Sequence, residues 1–335
     1  MCIRDRDSSV KPLYGHQEGA VRGYNPKKPG RPSHAYHIYF VGSARVVLDV
    51  EVRPGNQTAG CYSQPGLWEM LDDLGRSLWP KLIRGDVGCG NESMMHGCEE
   101  RGLTYLFKVA QSRPVKSLVN ELEKQATGWV DAGAGWEGCD STLKLKTWTA
   151  KRRVVVLRRP RRRSAREEKE RKVKALPETA DAGRQGQFAF LEIVDKDCRL
   201  YEYAVLVTNL TDSILGVAQL YRERADCENV IDELKNQWGW SGFTTKDLKR
   251  SRIMARVVCQ VYNWWNVYCR LAIPDKHAEA ISSRPLLWDA IGRLVCTSGQ
   301  RLLRLSSVNA RGEQAKRMMR EISDFLRGVV STAPQ

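Results

Sequence analysis

Tyr221, Arg224, Glu228 and Lys235 lie in the run YRERADCENVIDELK. Read as a helix at about 100° per residue, their offsets place the four side chains within a stripe about 60° wide, along about 21 Å of axis. Leu220, Cys227, Val230, Ile231, Leu234 and Trp238 fall on an adjoining apolar stripe, so one side of this helix can be buried while the other is offered. A carboxylate flanked by two cations and a phenol suits a site that holds a metal ion against a phosphodiester backbone. The competing reading is a solvated face on which Arg224 and Glu228 form an i,i+4 pair worth roughly 0.3–0.5 kcal/mol.

Several elements would have to position such a site. The runs HAYHIYFVG and ARVVLDVEV alternate as paired strands do. Leu67–Lys81 reads as an amphipathic helix and Lys81–Asp86, KLIRGD, as a short buried strand. A helix at about Glu92–Arg101 and a strand over Leu103–Ala110 follow. Strand, strand, strand, helix, strand, helix, strand is the order of a ribonuclease-H-like mixed α/β sheet flanked by helices, with the first strand nearly absent here. Pro114–Ala126 looks helical, and the Trp- and Gly-punctuated runs after it read as a β-rich insertion over residues 113–199. On this reading residues 1–112 and 200–272 are the two halves of one α/β domain, and 273–335 form a mainly helical C-terminal region.

The formal net charge of +15 points to a polyanionic partner. The excess is concentrated: Lys151–Lys174 holds 13 Lys or Arg against 3 Glu, a net of +10. No apolar stretch approaches the roughly 18 residues of a membrane span, and no apolar face accompanies the basic run, so DNA is favoured over a membrane. Arg158, Arg159, Arg161, Arg162 and Arg163 read as a surface that tracks a nucleic-acid backbone without reading its sequence, or else as a solubilising loop. Ten cysteines show no Cys-x2-Cys pair, and five histidines show no ligand spacing, which argues against a zinc site. With no secretory signal pattern, reduced thiols and a cytoplasmic, nucleoid-associated location are expected. There is no Gly-rich phosphate loop ending in Lys-Ser or Lys-Thr to support an ATP-driven mechanism.

The spacing Tyr-x2-Arg-x3-Glu-x6-Lys resembles the signature of bacterial insertion-sequence transposases of the DDE type. Two further blocks resemble the same group in the same order: Asp7–Ser33, DSSVKPLYGHQEGAVRGYNPKKPGRPS, and Leu82–Gly88, LIRGDVG. The resemblance implies that Asp7, Asp86 and Glu228 bind two Mg2+ (or Mn2+) ions. It also implies that Tyr221, Arg224 and Lys235 contact DNA near the cleaved phosphate, and that a homodimer holds two double-stranded element ends. Two ions about 4 Å apart can assist both the attacking and the leaving oxygen of a phosphodiester, and carboxylates are the hard ligands they require.

Each carboxylate also has a local reading. Asp86 can be a turn residue capping the next helix, and Asp7, at the start of DSS, can satisfy nearby backbone donors. Related transposases carry a β-rich insertion in which a Trp can stack on a displaced base, making Trp129, Trp136 and Trp148 candidates, although each also reads as core. The pair Trp264 and Trp265 reads as packing in an amphipathic helix. In the family an apolar strand runs into the first catalytic Asp, whereas MCIRDR is mostly charged. This departure is read as a fragment with its authentic start missing. A DNA-binding remnant without catalysis and a stand-alone metal nuclease of the same fold are the alternatives to a transposase.

Overall fold

The computed structural model describes residues 3–25, 28–57, 62, 64–125, 127–160, 201–243, 245–274, 277–288, 292–305 and 312–332. The chain forms two compact units, one of Met1–Asp7 and Thr58–Ala225, the other of Ser8–Gln57 and Asp226–Gln335. These units cut across the segments expected from sequence, because strand β1 (Ile3–Pro12) is divided between them.

In the first unit β1 begins a sheet with β5 (Leu82–Gly85), β6 (Thr104–Lys108), β10 (Tyr201–Thr208), β9 (Arg152–Pro160), β8 (Trp136–Leu143) and β7 (Val130–Gly133), in that spatial order. The β1/β5 and β5/β6 pairs are parallel, and from β6 onward the pairs are antiparallel. The expectation that the first strand is nearly absent is thus corrected. IRDRDSSVKP forms a ten-residue strand, since ladder hydrogen bonds come from the backbone and are indifferent to side-chain charge.

Strands β7–β9 fall in the segment read from sequence as a β-rich insertion, and they extend the same sheet: β9 pairs with β10 over eight residues. Helices α1 (Gln64–Leu74), α2 (Glu92–Glu100), α3 (Arg113–Gln125) and α4 (Ile214–Arg222) complete the unit. The helix expected to reach Lys81 stops at Leu74, where Gly75 takes φ 71° and only a short 3-10 turn, Arg76–Leu78, follows. Leu82, Leu106, Val155, Leu157, Leu206 and Val217 are among the buried side chains that pack α4 onto the sheet.

In the second unit β2 (Val21–Arg22), β3 (Pro32–Val41) and β4 (Val46–Pro54) are antiparallel neighbours. Alternate residues of β3, Tyr36, Ile38 and Phe40, share a core with Val50 and Val52 of β4. Helix α5 (Ala225–Gln237) adds Cys227, Val230, Ile231 and Leu234, and α6 (Leu248–Ala272) adds Ala255, Cys259 and Tyr262. Asn263 of α6 satisfies both backbone groups of Val47, accepting from its N–H at 2.9 Å and donating to its carbonyl at 2.7 Å.

Helix α7 (Ala280–Trp288) is followed by a hairpin, β11 (Gly292–Thr297) and β12 (Gln300–Leu305), and by helix α8 (Gly312–Thr332). The hairpin departs from the helical C-terminal region expected. Its two-residue turn, Ser298 (φ 50°) and Gly299 (φ 77°), is of the left-handed kind that suits the twist of paired strands.

Candidate active site

The register of β1 on β5 brings two of the three candidate carboxylates together. Ile3 stands opposite Leu82, Arg4 opposite Ile83, Asp5 opposite Arg84 and Arg6 opposite Gly85. The next residue on each chain is an aspartate, Asp7 on β1 and Asp86 immediately past the end of β5. Neighbouring strands lie about 4.8 Å apart, so Asp7 and Asp86 start from adjacent backbone positions where β5 ends. The side chain of Asp7 is outside the described residues.

Asp86 does not cap the following helix. Its Oδ1 accepts the Gly88 N–H at 2.9 Å and its carbonyl accepts the Cys89 N–H at 3.0 Å, a tight turn in which the carboxylate orders its own loop. The cap of α2 is Asn91, whose side chain accepts from Met94 N–H at 3.1 Å. The turn needs Gly85 before it, because a Cβ there would stand 2.5 Å from Cys89 Sγ. The half-buried Asp86 thus sits at the end of a strand whose four residues are all buried.

The four-residue stripe does not lie on one helix. Helix α4 ends at Arg222 and α5 begins at Ala225, so Tyr221 and Arg224 belong to the first unit, Glu228 and Lys235 to the second. Arg84 accounts for the break. Its side chain is buried, and its Nη1 donates to the carbonyl of Leu220 and lies 3.4 Å from Glu223 Oε2. In an unbroken helix the Leu220 carbonyl would receive the Arg224 N–H; that N–H turns instead to Tyr221 O at 3.1 Å. The Arg224 guanidinium lies 5.5 Å from the centre of the Tyr221 ring. Sequence reasoning missed Arg84, although a lone arginine inside an otherwise apolar strand run was the available signal.

Glu228 is exposed in the first turn of α5, and Lys235 is half-buried in its last turn. Glu233, on the same helix, is the buried carboxylate. It accepts from the Ala280 N–H at 2.9 Å and from Trp238 Nε1 at 3.1 Å, and burial pushes its pKa up. That carboxylate anchors the start of α7, whereas Glu228 and Asp232 are the exposed acidic groups of this helix and Asp226 is half-buried.

Arg158 and Arg159, read from sequence as DNA contacts, are engaged within the first unit. Arg158 bridges Glu123 at 2.8 Å and Glu137 at 2.7 Å and lies 4.0 Å from the Trp129 ring centre. Arg159 pairs with Glu202 at 2.8 Å and lies 4.7 Å from that of Trp136. Arg161, Arg162 and Arg163 lie outside the described residues. Trp129 and Trp136 are half-buried, whereas Trp148 is only 3% exposed, a core residue with no face open to a base. Trp265 packs on Tyr268 at 5.3 Å, while Trp264, also expected to pack, is 66% exposed.

Among the described residues no group of three or more His, Cys, Asp or Glu converges on a metal-sized space, and no helix is long and apolar enough to cross a membrane. The profile of a family described as "Transposase DDE domain group 1" matches residues 1–325. No curated protein matches the chain. Among solved structures, the chain is similar to a piggyBac transposase seen by cryo-electron microscopy in a synaptic complex with hairpin DNA. The likeness is 10% in sequence identity, over 99% of this chain and 54% of that one, with a TM-score of 0.44. The chain therefore spans about half the length of that protein.

Proposed function

Because the chain belongs to the transposase DDE domain group 1 family, we propose that it cleaves DNA at the ends of an insertion sequence and joins the freed 3′ hydroxyl to target DNA, with Asp7, Asp86 and Glu228 as its catalytic carboxylates. The observation that carries this reading is the parallel register that pairs Arg6 with Gly85, the residues just before Asp7 and Asp86. Two carboxylates starting from neighbouring strands suit the hard-oxygen ligand set that Mg2+ or Mn2+ takes. When bound, two such ions stabilise the charge that develops on the attacking and leaving oxygens of the phosphodiester. The exposed Glu228 supplies the third carboxylate, and the parallel β1/β5/β6 core supports a ribonuclease-H-like sheet as the scaffold.

Tyr221, Arg224 and Lys235 hold the strand being cut, the two cations through charge-assisted hydrogen bonds to phosphate oxygens. Arg84 is a positioning residue: by taking the Leu220 carbonyl it ties the segment bearing Tyr221 and Arg224 to the strand that leads into Asp86. The basic run through Arg161, Arg162 and Arg163 tracks the DNA backbone, and half-buried Trp129 and Trp136 remain the aromatic candidates for a displaced base. A homodimer brings the two element ends together.

The test is cleavage of end-labelled duplexes carrying the ends of the element that encodes the chain, with Mg2+. The wild-type chain should cut and join. Asp86→Asn and Glu228→Gln should each bind the duplex and fail to cut it. Cutting by either variant at the wild-type rate would remove that residue from the catalytic set. Cutting of arbitrary duplexes without joining would identify a nuclease instead.

A further inference from the structure

A second set of cations in this chain is held in a different way from those of β9. Between β1 and β3, residues 11–33 contain Lys11, Arg22, Lys27, Lys28 and Arg31 against one acid, Glu18. Glu18 is turned to another task, since its Oε2 accepts the Leu248 N–H at 2.9 Å. Lys28 and Arg31 flank one exposed ring. Lys28 Nζ lies 4.8 Å and the Arg31 guanidinium 4.4 Å from the centre of Tyr14, which is 66% exposed, and Lys28 also donates to the Tyr14 hydroxyl. Among the described residues no carboxylate pairs with Lys28, Arg31 or Arg22. Holding two like charges on one ring without a counter-anion is unfavourable, and an incoming anion would relieve it.

Backbone hydrogen bonds brace the described residues beneath these side chains. The Leu13 N–H donates to Pro32 O at 2.9 Å, closing the loop at its base. Within it, Lys28 N–H donates to the buried Asn25 Oδ1 at 3.1 Å and Arg31 N–H to Lys28 O at 3.2 Å. Gly23 crosses the turn at Gly55 so closely that a Cβ on it would meet Gly55 O at 2.0 Å. A preformed backbone means that binding orders only the ends of the side chains, which lowers the entropic cost of association.

We propose that Tyr14, Arg22, Lys28 and Arg31 form a docking surface for the phosphate backbone of duplex DNA, with Lys28, Arg31 and Arg22 contacting phosphate oxygens and Tyr14 holding Lys28 and Arg31 in place. The contact is sequence-independent, because backbone phosphates position a protein and carry no base information. This inference rests on the DNA-acting reading above, but it concerns binding alone and assigns these residues no part in the chemistry.

The experiment is fluorescence anisotropy of the full chain with labelled duplexes of two unrelated sequences, over a series of salt concentrations. Each phosphate contact adds about 0.9 to the slope of log affinity against log salt. Lys28→Gln/Arg31→Gln should therefore bind both duplexes more weakly to the same degree, with a slope shallower by about 2. Tyr14→Leu should weaken binding and keep the slope. Lys144→Gln/Lys146→Gln, which removes the same charge from exposed positions elsewhere, should leave the slope unchanged. A wild-type slope in the Lys28→Gln/Arg31→Gln chain, or an equal loss in the Lys144→Gln/Lys146→Gln chain, would overturn the proposal while leaving the transposase reading intact. If the wild-type chain binds neither these duplexes nor the element ends, both fail.

Discussion

Strand β9 and the loop from Tyr14 to Arg31 are both rich in cations, and they hold them differently. All four arginines of β9 meet carboxylates: Arg152 with Glu92 and Glu99, Arg153 with Asp140, Arg158 with Glu123 and Glu137, and Arg159 with Glu202. In the loop, the Arg31 guanidinium lies against the Tyr14 ring and Lys28 donates to its hydroxyl instead. A guanidinium enclosed by carboxylates is neutralised and acts as a tie between elements, whereas a cation over an aromatic ring keeps its charge for a partner. Density of Lys and Arg along a chain is thus a poor guide to where a polyanion docks. The neutralising carboxylates arrive from α2, α3, β8 and β10, which only the fold brings to β9.

The largest effect expected from breaking this comparison is at Arg152, whose side chain is 5% exposed. Arg152→Met leaves Glu92 and Glu99 without their partner and should lower unfolding free energy by about 3–5 kcal/mol in denaturant titrations, with the salt slope for DNA unchanged. The Arg152 hydrogen bond also holds the Glu99 carboxyl below the usual carboxylate range. The stability it contributes is present above the unfolded pKa of about 4.3 and is lost as pH falls through the folded value, so the acid limb should be shallower in the variant.

Next is Arg158→Met, which removes hydrogen bonds to two carboxylates at a partly covered site and should cost about 2 kcal/mol.

Lys11 sharpens the comparison from the other side, since it belongs to the loop's own segment yet is turned inward. Its ammonium donates to Trp240 O at 3.0 Å and to Phe243 O, lies 3.8 Å from the Phe243 ring centre, and is pushed down to about 8 by burial. Unfolded lysine titrates near 10.4, so between about pH 8 and 10 the unfolded chain binds more protons and this residue makes stability rise with pH. Lys11→Met should abolish that rise, read as melting temperature across the range; an unchanged rise would assign it to another group.

The smallest effect belongs to Arg159→Gln. Its pair with Glu202 is half exposed and should contribute less than about 1 kcal/mol, so a loss several times larger would show that the two ends of β9 are equally structural.

Much of the scaffold was legible from local pattern. Alternation marked β3 and β4, the apolar run before Asp86 marked β5, and helical periodicity marked α2 and α3, because these signals arise within a few residues of one another. The same reasoning overran at Gly75 and missed the β11/β12 hairpin, where a Ser-Gly turn between apolar runs was the overlooked cue. The continuous helix drawn through Tyr221 and Lys235 was sound as a local pattern. It failed because Arg84, far away in the chain, takes the carbonyl that would have continued it.

By itself, the amino-acid sequence pointed to a DDE transposase domain, the family whose profile matches residues 1–325, and it determined the strongly positive net charge. Tertiary structure alone decided that Arg6 pairs with Gly85, one residue before Asp7 and Asp86, that β9's arginines meet carboxylates, and that among the described residues Lys28 and Arg31 meet none. Strand register and ion pairing depend on which distant segments become neighbours, and no window along the chain contains both partners.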